Sequence, residues 1–449
     1  MIKLLLFTLI STTTLLVFSF TMHPISSQEY SKCISYDQKN NTISISCDTS
    51  ISQADRNLRN KAILFEESDG VWILNSSMII DKGATLTISS NDTKWLKITN
   101  YGDNNPNSIN ISGNAKINGV RITSWNSSNS DVIKQNNNGS IPRPFIYVER
   151  EAGPVDISNS EVAFLGYKPS PGQGISYHGG NGSIISNNIF HHLWYGFYSN
   201  HLENVTISNN RYYNNSVYGI DPHSGSHDIN ILNNDVFNSK LGVICSDNCY
   251  NIFFDGNKIY NSERAGLMFS RNTSNSIATN NYIENARTGI SVSESNDNLI
   301  KNNIIRDSKI GVKIRETSHD NKIYANNIYD GKRGIEIDSL SNNNTFENNN
   351  VNNVTYGIKV SNSSGINFLT DNNLKNVEKY EYSISQSGNI VIKNQTFANE
   401  ELRGGAGNNN VAIFESGIVK LNEKIIDTTT SPFNVSISHE TLTINSPKK

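Results

Sequence analysis

The stretch "ARTGISVSESNDNLIKNNIIRDSKIGVKI", residues 286–314, holds one full turn of a repeat, and its reading decides the fold. Gly289 and Gly311 are each followed by an apolar, a polar and an apolar residue: Ile290, Ser291, Val292 and Val312, Lys313, Ile314. The same frame opens at Gly196, Gly219, Gly242, Gly266, Gly334 and Gly357, so that successive glycines lie 23, 23, 24, 23, 22, 23 and 23 residues apart. Phe197, Ile220, Val243, Leu267, Ile335 and Ile358 take the first apolar place, and Cys245, Phe269, Ile337 and Val360 take the second. Alternation with a period of two is the mark of a strand with one buried face. A second marker, a pair of asparagines, falls between the glycines at Asn209–Asn210, Asn233–Asn234, Asn280–Asn281, Asn302–Asn303 and Asn326–Asn327.

A repeat of this length is too short for a strand–helix–strand unit and has no helical period. Leucine-rich repeats share the length, but their L-x-x-L-x-L signature is missing. Three short strands separated by turns fit it, and stacking them puts like residues in columns about 4.8 Å apart. The sequence therefore predicts an all-β chain, a right-handed parallel β-helix, with Asn at its turns in left-handed conformation and stacked as a hydrogen-bonded ladder. The frame is regular from about residue 155 to 375. The solenoid is expected to begin upstream, within residues 29–125, in "GVWILNSSMIIDKGATLTISS" and "SINISGNAKINGVRITSW". Residues 126–144 read as a polar loop, 145–380 as the β-helix carrying the site, and 381–449, with a break at "GGAGNNN" (404–410), as a small β cap over an open edge strand.

The chain has 449 residues, a net charge of −3 and 18% charged residues, its polarity coming from Asn and Ser. No global field favours nucleic acid or an anionic membrane. Lys3 followed by the apolar run Leu4–Phe20 has the layout of a secretory signal within residues 1–28, with an uncleaved membrane anchor as the alternative. Either places the remainder outside the cytoplasm, secreted or at the cell surface or periplasm. An oxidising compartment would let Cys33 pair with Cys47 and Cys245 with Cys249. No acidic calcium loop is present in the sequence, so no metal and no cofactor are expected. A monomer is expected.

Chemistry concentrates in "NNSVYGIDPHSGSHDINI", residues 214–231. With Ile220 pointing inward, Asp221 and His223 are expected on the outer face, solvent-facing, with Tyr218 at the lip and Pro222 stiffening the strand between them. The same columns carry Tyr198 and Asn200 one coil before, then Ile244 and Ser246, Met268 and Ser270, Ser291 and Ser293, Lys313 and Arg315. Asp247 and Arg271 lie at strand ends. Such a stripe suits a linear chain laid along the solenoid axis. Its expected contacts are Tyr198, Asn200, Arg264, Arg271, Lys313 and Arg315. Surface polar residues on a solenoid are also ordinary decoration, and Lys313 and Arg315 can equally pair with Glu294 or Glu336.

At "VYGIDPHS" the chain resembles the mannuronan C5-epimerases, whose motif reads YG-x-DPH; the matching residues are Tyr218, Gly219, Asp221, Pro222 and His223. "PFIYVEREAGPVDISNSEVAFLGY" and "FHHLWYGFYS" resemble the periplasmic, alginate-biosynthetic branch, and the resemblance covers roughly residues 65–300. It implies an extracytoplasmic β-helix enzyme that converts mannuronate to guluronate within a polymer, a linear acidic polysaccharide. It implies too that His223 and Tyr218 are the proton-transfer pair, assigned here as base and proton donor with exchangeable roles, with Asp221 orienting the imidazole. Asp247 stands where the periplasmic branch has a carboxylate-neutralising arginine and the modular secreted branch an aspartate. Arg264 matches an arginine of the modular branch. Two other functions fit the same residues: a uronate lyase sharing the base but expelling the C4 oxygen, and a non-catalytic polysaccharide-binding solenoid.

Overall fold

The computed structural model describes residues 33–102, 105–361, 366–385, 389–393, 434–438 and 441–445. The signal or anchor segment 1–28, the break at 404–410 and most of the region assigned to a C-terminal cap lie outside the described residues. Two long sheets, parallel apart from hairpins near their ends, run through the described residues, most strands pairing with their counterparts one coil away. The site-bearing strands are β1 (Tyr195–Ser199), β2 (Tyr218–Asp221), β3 (Leu241–Ser246), β4 (Lys258–Ser270), β5 (Tyr282–Ser293), β6 (Ile310–Arg315), β7 (Asn327–Ile337) and β8 (Asn350–Ser361). Their register joins Phe197, Ile220, Val243, Leu267, Ile290, Val312, Ile335 and Ile358 into one buried column. The alternation read from the sequence is this column.

The glycines are required by close approach. A Cβ on Gly289 would sit 2.4 Å from Ile305 Cγ2 and 2.7 Å from the Gly311 carbonyl oxygen. Any side chain there would push two coils apart. The asparagine ladder is present and continuous from Asn188 through Asn210, Asn234, Asn257, Asn281, Asn303, Asn326 and Asn349 to Asn372. Asn281 is typical: its Nδ2 donates to Asn303 Oδ1 and to the Phe254 carbonyl, while its Oδ1 accepts from the backbone and side-chain amides of Asn257. Every polar atom of the buried amide is thereby satisfied. The residue before each ladder member is left-handed, as at Asn209, Asn233, Asn280 and Asn302. The fifth sequence pair is one residue out of step, because Ala325 takes the left-handed place and Asn326 the ladder place. Asn298, Asn321, Asn344 and Asn367 build a second ladder.

The N-terminal end holds an element that the pattern does not announce. Helix α1 (Ile51–Leu58) starts at Ser50, whose hydroxyl accepts from Gln53 N while the Gln53 side chain accepts from Ser50 N. This reciprocal cap lets a short helix form, and Ile51 and Ala54 bury into the core beside the first coils. Cys33 and Cys47 form a disulfide there. Cys245 and Cys249, for which the sequence left pairing open, are free thiols in the core. Cys249 Sγ donates to the Ser246 and Pro222 carbonyls, so the turn is closed by thiol hydrogen bonds. At the other end, Asn434–Ser438 and Thr441–Asn445 form an antiparallel hairpin paired to Asn389–Lys393.

Candidate active site

β2 enters the site with Tyr218 and leaves it with Asp221; Pro222, His223 and a turn follow. The turns after β2, β3 and β4 are built alike: Ser224 (φ 43°), Asp247 (φ 68°) and Arg271 (φ 49°) occupy the same left-handed place in successive coils. This stacking brings three different functional groups from three coils to one point. His223 sits among them, its side chain one-fifth exposed. Its Nδ1 lies 2.6 Å from Ser224 Oγ, which donates to Asp247 Oδ2 at 2.9 Å. On the other side Arg271 Nη2 lies 2.8 Å from His223 Nε2, and the guanidinium also donates to Ser246 Oγ. Burial and then the Arg271 charge lower the His223 pKa, against the opposing pull of Asp247. The imidazole is therefore neutral at physiological pH.

Asp221 corrects the sequence reading. It stands in the expected column, between Tyr198 and Ile244, but it is 1% exposed and does not face solvent. Nor does it orient the imidazole: neither carboxyl oxygen has a hydrogen-bond partner among the described residues. It lies among large neighbours. Tyr218 and Tyr195 rings are 4.7 Å apart, Tyr195 and Tyr198 5.6 Å, and Tyr198 and His223 5.6 Å. Three of these rings, Tyr195, Tyr198 and Tyr218, lie close enough to the carboxyl for its charge to act on their phenols. Burial raises the Asp221 pKa well above the carboxylate range, Arg271 only partly opposing it. The phenols respond to the same enclosure. Burial and then Asp221 raise Tyr218, while Arg271 and Arg264 pull it back, and Tyr198 is pushed up to about 12. All the tyrosines of the cluster are thus protonated acids at neutral pH.

From Tyr218 a groove of about 620 Å³ runs over the next five coils. Seven cations line it, namely Arg264, Arg271, Arg287, Lys309, Lys313, Arg315 and Arg333. Of those predicted, Lys313 is already paired with Glu336 (3.1 Å) and Asp338 (2.8 Å), and Arg315 with Glu316 at 2.9 Å. Asn200 turns aside to accept from His201 Nδ1. Tyr198, Arg264 and Arg271 stand at or beside the imidazole and phenol. Sequence reasoning passed over Ser224, Tyr195, Arg287 and Lys309. The last two were findable: Lys240, Arg264, Arg287, Lys309 and Lys332 each stand two residues before a repeat glycine. The register stacks them one per coil.

Comparison with known proteins agrees with this architecture. Residues 241–397 match the family model described as "Right handed beta helix region". A mannuronan C5-epimerase of Pseudomonas syringae pv. tomato is 26% identical over 192 residues, 40% of this chain and 35% of that protein. The Pseudomonas aeruginosa mannuronan C5-epimerase is 28% identical over 184 residues, 38% of this chain and 33% of that protein. The match thus spans about a third of the length of these relatives. Among solved structures, the periplasmic alginate epimerase AlgG superposes with a TM-score of 0.64 at 22% identity, covering 78% of this chain and 84% of that one. The chain is a right-handed parallel β-helix, similar in sequence over fewer than 200 residues to mannuronan C5-epimerases and in fold to the solved structure of AlgG.

Proposed function

We propose that the chain is an extracytoplasmic polysaccharide epimerase that inverts C5 of uronate residues within a polymer, mannuronate to guluronate in alginate or a similar acidic polysaccharide. The observation that carries this reading is the His223 imidazole, its Nε2 accepting from Arg271, a cation that lines the groove beside it.

The C5–H of a uronate is barely acidic while its carboxylate keeps its charge. A cation on the carboxylate stabilises the enediolate that forms when the proton leaves. Arg271 is the group in position for this, since its guanidinium already lies against the base; Asp247, the sequence candidate, is engaged with Ser224 instead. In the bound state the substrate carboxylate takes the Arg271 N–H that His223 Nε2 accepts in the free protein. His223 Nε2 then removes the C5 proton and becomes imidazolium. Tyr218, protonated and flanked by Arg264 and Arg271, returns a proton to the opposite face of C5. The arginines stabilise the phenolate left behind, and solvent resets both groups. The lowered His223 pKa keeps the base neutral below the ordinary value of about 6.5, so the acid limb of the rate profile lies under that pH.

The test is exposure of polymannuronate and other polyuronates to the protein in deuterated water, followed by NMR. Solvent deuterium at C5 with inverted configuration and an intact chain is expected, and His223→Ala should lower exchange by about 10²-fold or more while polymer binding persists. Ultraviolet absorbance from unsaturated chain ends would instead identify a lyase. Binding without exchange or cleavage, unaffected by His223→Ala, would identify a non-catalytic solenoid.

A further inference from the structure

The geometry points to Ser224 and Asp247 as positioning residues that fix the proton of His223 on Nδ1 and hold the charge that the ring acquires. The inference rests on the proton-transfer reading above, and it follows from which atoms are able to donate. A guanidinium carries only donors, so His223 Nε2, 2.8 Å from Arg271 Nη2, must accept. At the other end Asp247 Oδ2 has only acceptor capacity when ionised, so Ser224 Oγ, 2.9 Å away, spends its hydrogen there. Ser224 then has only lone pairs for the ring, and Nδ1, 2.6 Å away, must carry the hydrogen. Both ends require the same tautomer independently. The chain of donors runs one way, from His223 Nδ1–H to Ser224 O–H to Asp247.

A carboxylate reached through a hydroxyl differs from one bonded to the ring. His223 Nδ1 and Asp247 Oδ2 are 4.0 Å apart, too far for a direct hydrogen bond but close enough to stabilise imidazolium. When Nε2 takes the C5 proton, the ring becomes a cation whose Nδ1–H is already aligned toward the anion. No further bond changes, and the serine keeps its hydrogen. The charged and titratable groups around the ring are Tyr198 from the preceding coil, Asp221 from its own strand, and Asp247 and Arg271 from the two coils that follow. Of these, Asp247 alone favours the protonated ring. The left-handed turn makes the relay possible, because Ser224 and Asp247 occupy one column with their backbones a single coil apart.

The experiment is NMR of the full chain labelled with ¹⁵N-histidine, with His223→Gln to assign the ring, together with the pH profile of exchange. In the unsubstituted protein at high pH, Nδ1 is expected at the protonated shift and Nε2 at the unprotonated one. Because Arg271 still requires Nε2 to accept, Ser224→Ala alone should keep the tautomer, whereas Ser224→Ala in an Arg271→Met background should mix the two. Asp247→Asn should move the His223 titration, and the acid limb of kcat, down by about one pH unit, and lower kcat with KM within a factor of about two. Circular dichroism verifies folding of every variant. A proton on Nε2 in the unsubstituted protein, or a tautomer indifferent to Ser224→Ala in the Arg271→Met background, overturns the relay even if the protein proves an active epimerase. The expected tautomer in a protein that never exchanges C5 upholds the relay and overturns the functional reading instead.

Discussion

At the scale of the residue, Asp221 carries a pH dependence of stability whose sign is fixed by its burial. Its folded pKa stands above the unfolded value of about 3.9. The group therefore contributes stability that is fully present below the unfolded pKa and is lost as pH rises through the folded one, where the fold must bury a charge without a hydrogen-bond partner. Asp221→Asn keeps the shape of the neutral acid and cannot ionise. Thermal melts of the two proteins should diverge as pH is raised from about 5 to about 9, the variant gaining roughly 1–3 °C on the parent. A constant difference across that range would mean that the carboxyl does not titrate there. His223 has the opposite sign: its depressed pKa favours the fold above about 6.5, and that contribution is lost as pH falls through the folded value.

At the scale of the element, one coil is held to the next by contacts that a single atom can break. Gly289→Ala would drive its Cβ against Ile305 and the Gly311 carbonyl, and should cost about 1–3 kcal/mol by denaturant titration. Asn281→Leu removes an amide that serves four hydrogen bonds and leaves donors of Asn257 without their acceptor. Its cost should be of similar size or larger, about 2–4 kcal/mol. A loss under about 0.5 kcal/mol for Asn281→Leu would mean that water replaces the ladder. The spacing of glycines and the period-2 pattern made these columns legible beforehand. The left-handed turns were legible only as asparagine, so the same conformation at Ala325, Ser224, Asp247 and Arg271 was not expected.

Over the whole molecule, the cation column from Lys240 to Lys332 offers a polyanion one charge per coil, about 4.8 Å apart, on the C-terminal side of His223. Arg287 and Lys309 line the groove well away from the reacting atoms. The double variant Arg287→Glu, Lys309→Glu should raise KM for polyuronate roughly tenfold while kcat changes little. Added salt should weaken binding of the parent more steeply than that of the variant. A fall in kcat at constant KM would instead place these side chains in the chemistry. Lys313, Arg315 and Arg333, each paired with a carboxylate, have less charge to offer.

The amino-acid sequence by itself determined the solenoid, its coil length, its inward columns and the strand that carries Tyr218, Asp221 and His223, because each depends on a period that neighbouring residues share. Depth and contact belonged to the tertiary structure. Alternation says that Asp221 points outward, but only the packing of neighbouring coils around it decides that it is buried. The partners of His223 come from turns 24 and 48 residues away in sequence, Asp247 reached through Ser224 and Arg271 directly. Coil stacking brings them together, and no local pattern encodes which of three side chains in one column will reach back over the ring. The spacing of residues along a strand is a local quantity, whereas a hydrogen bond between coils exists only once the chain has wound upon itself.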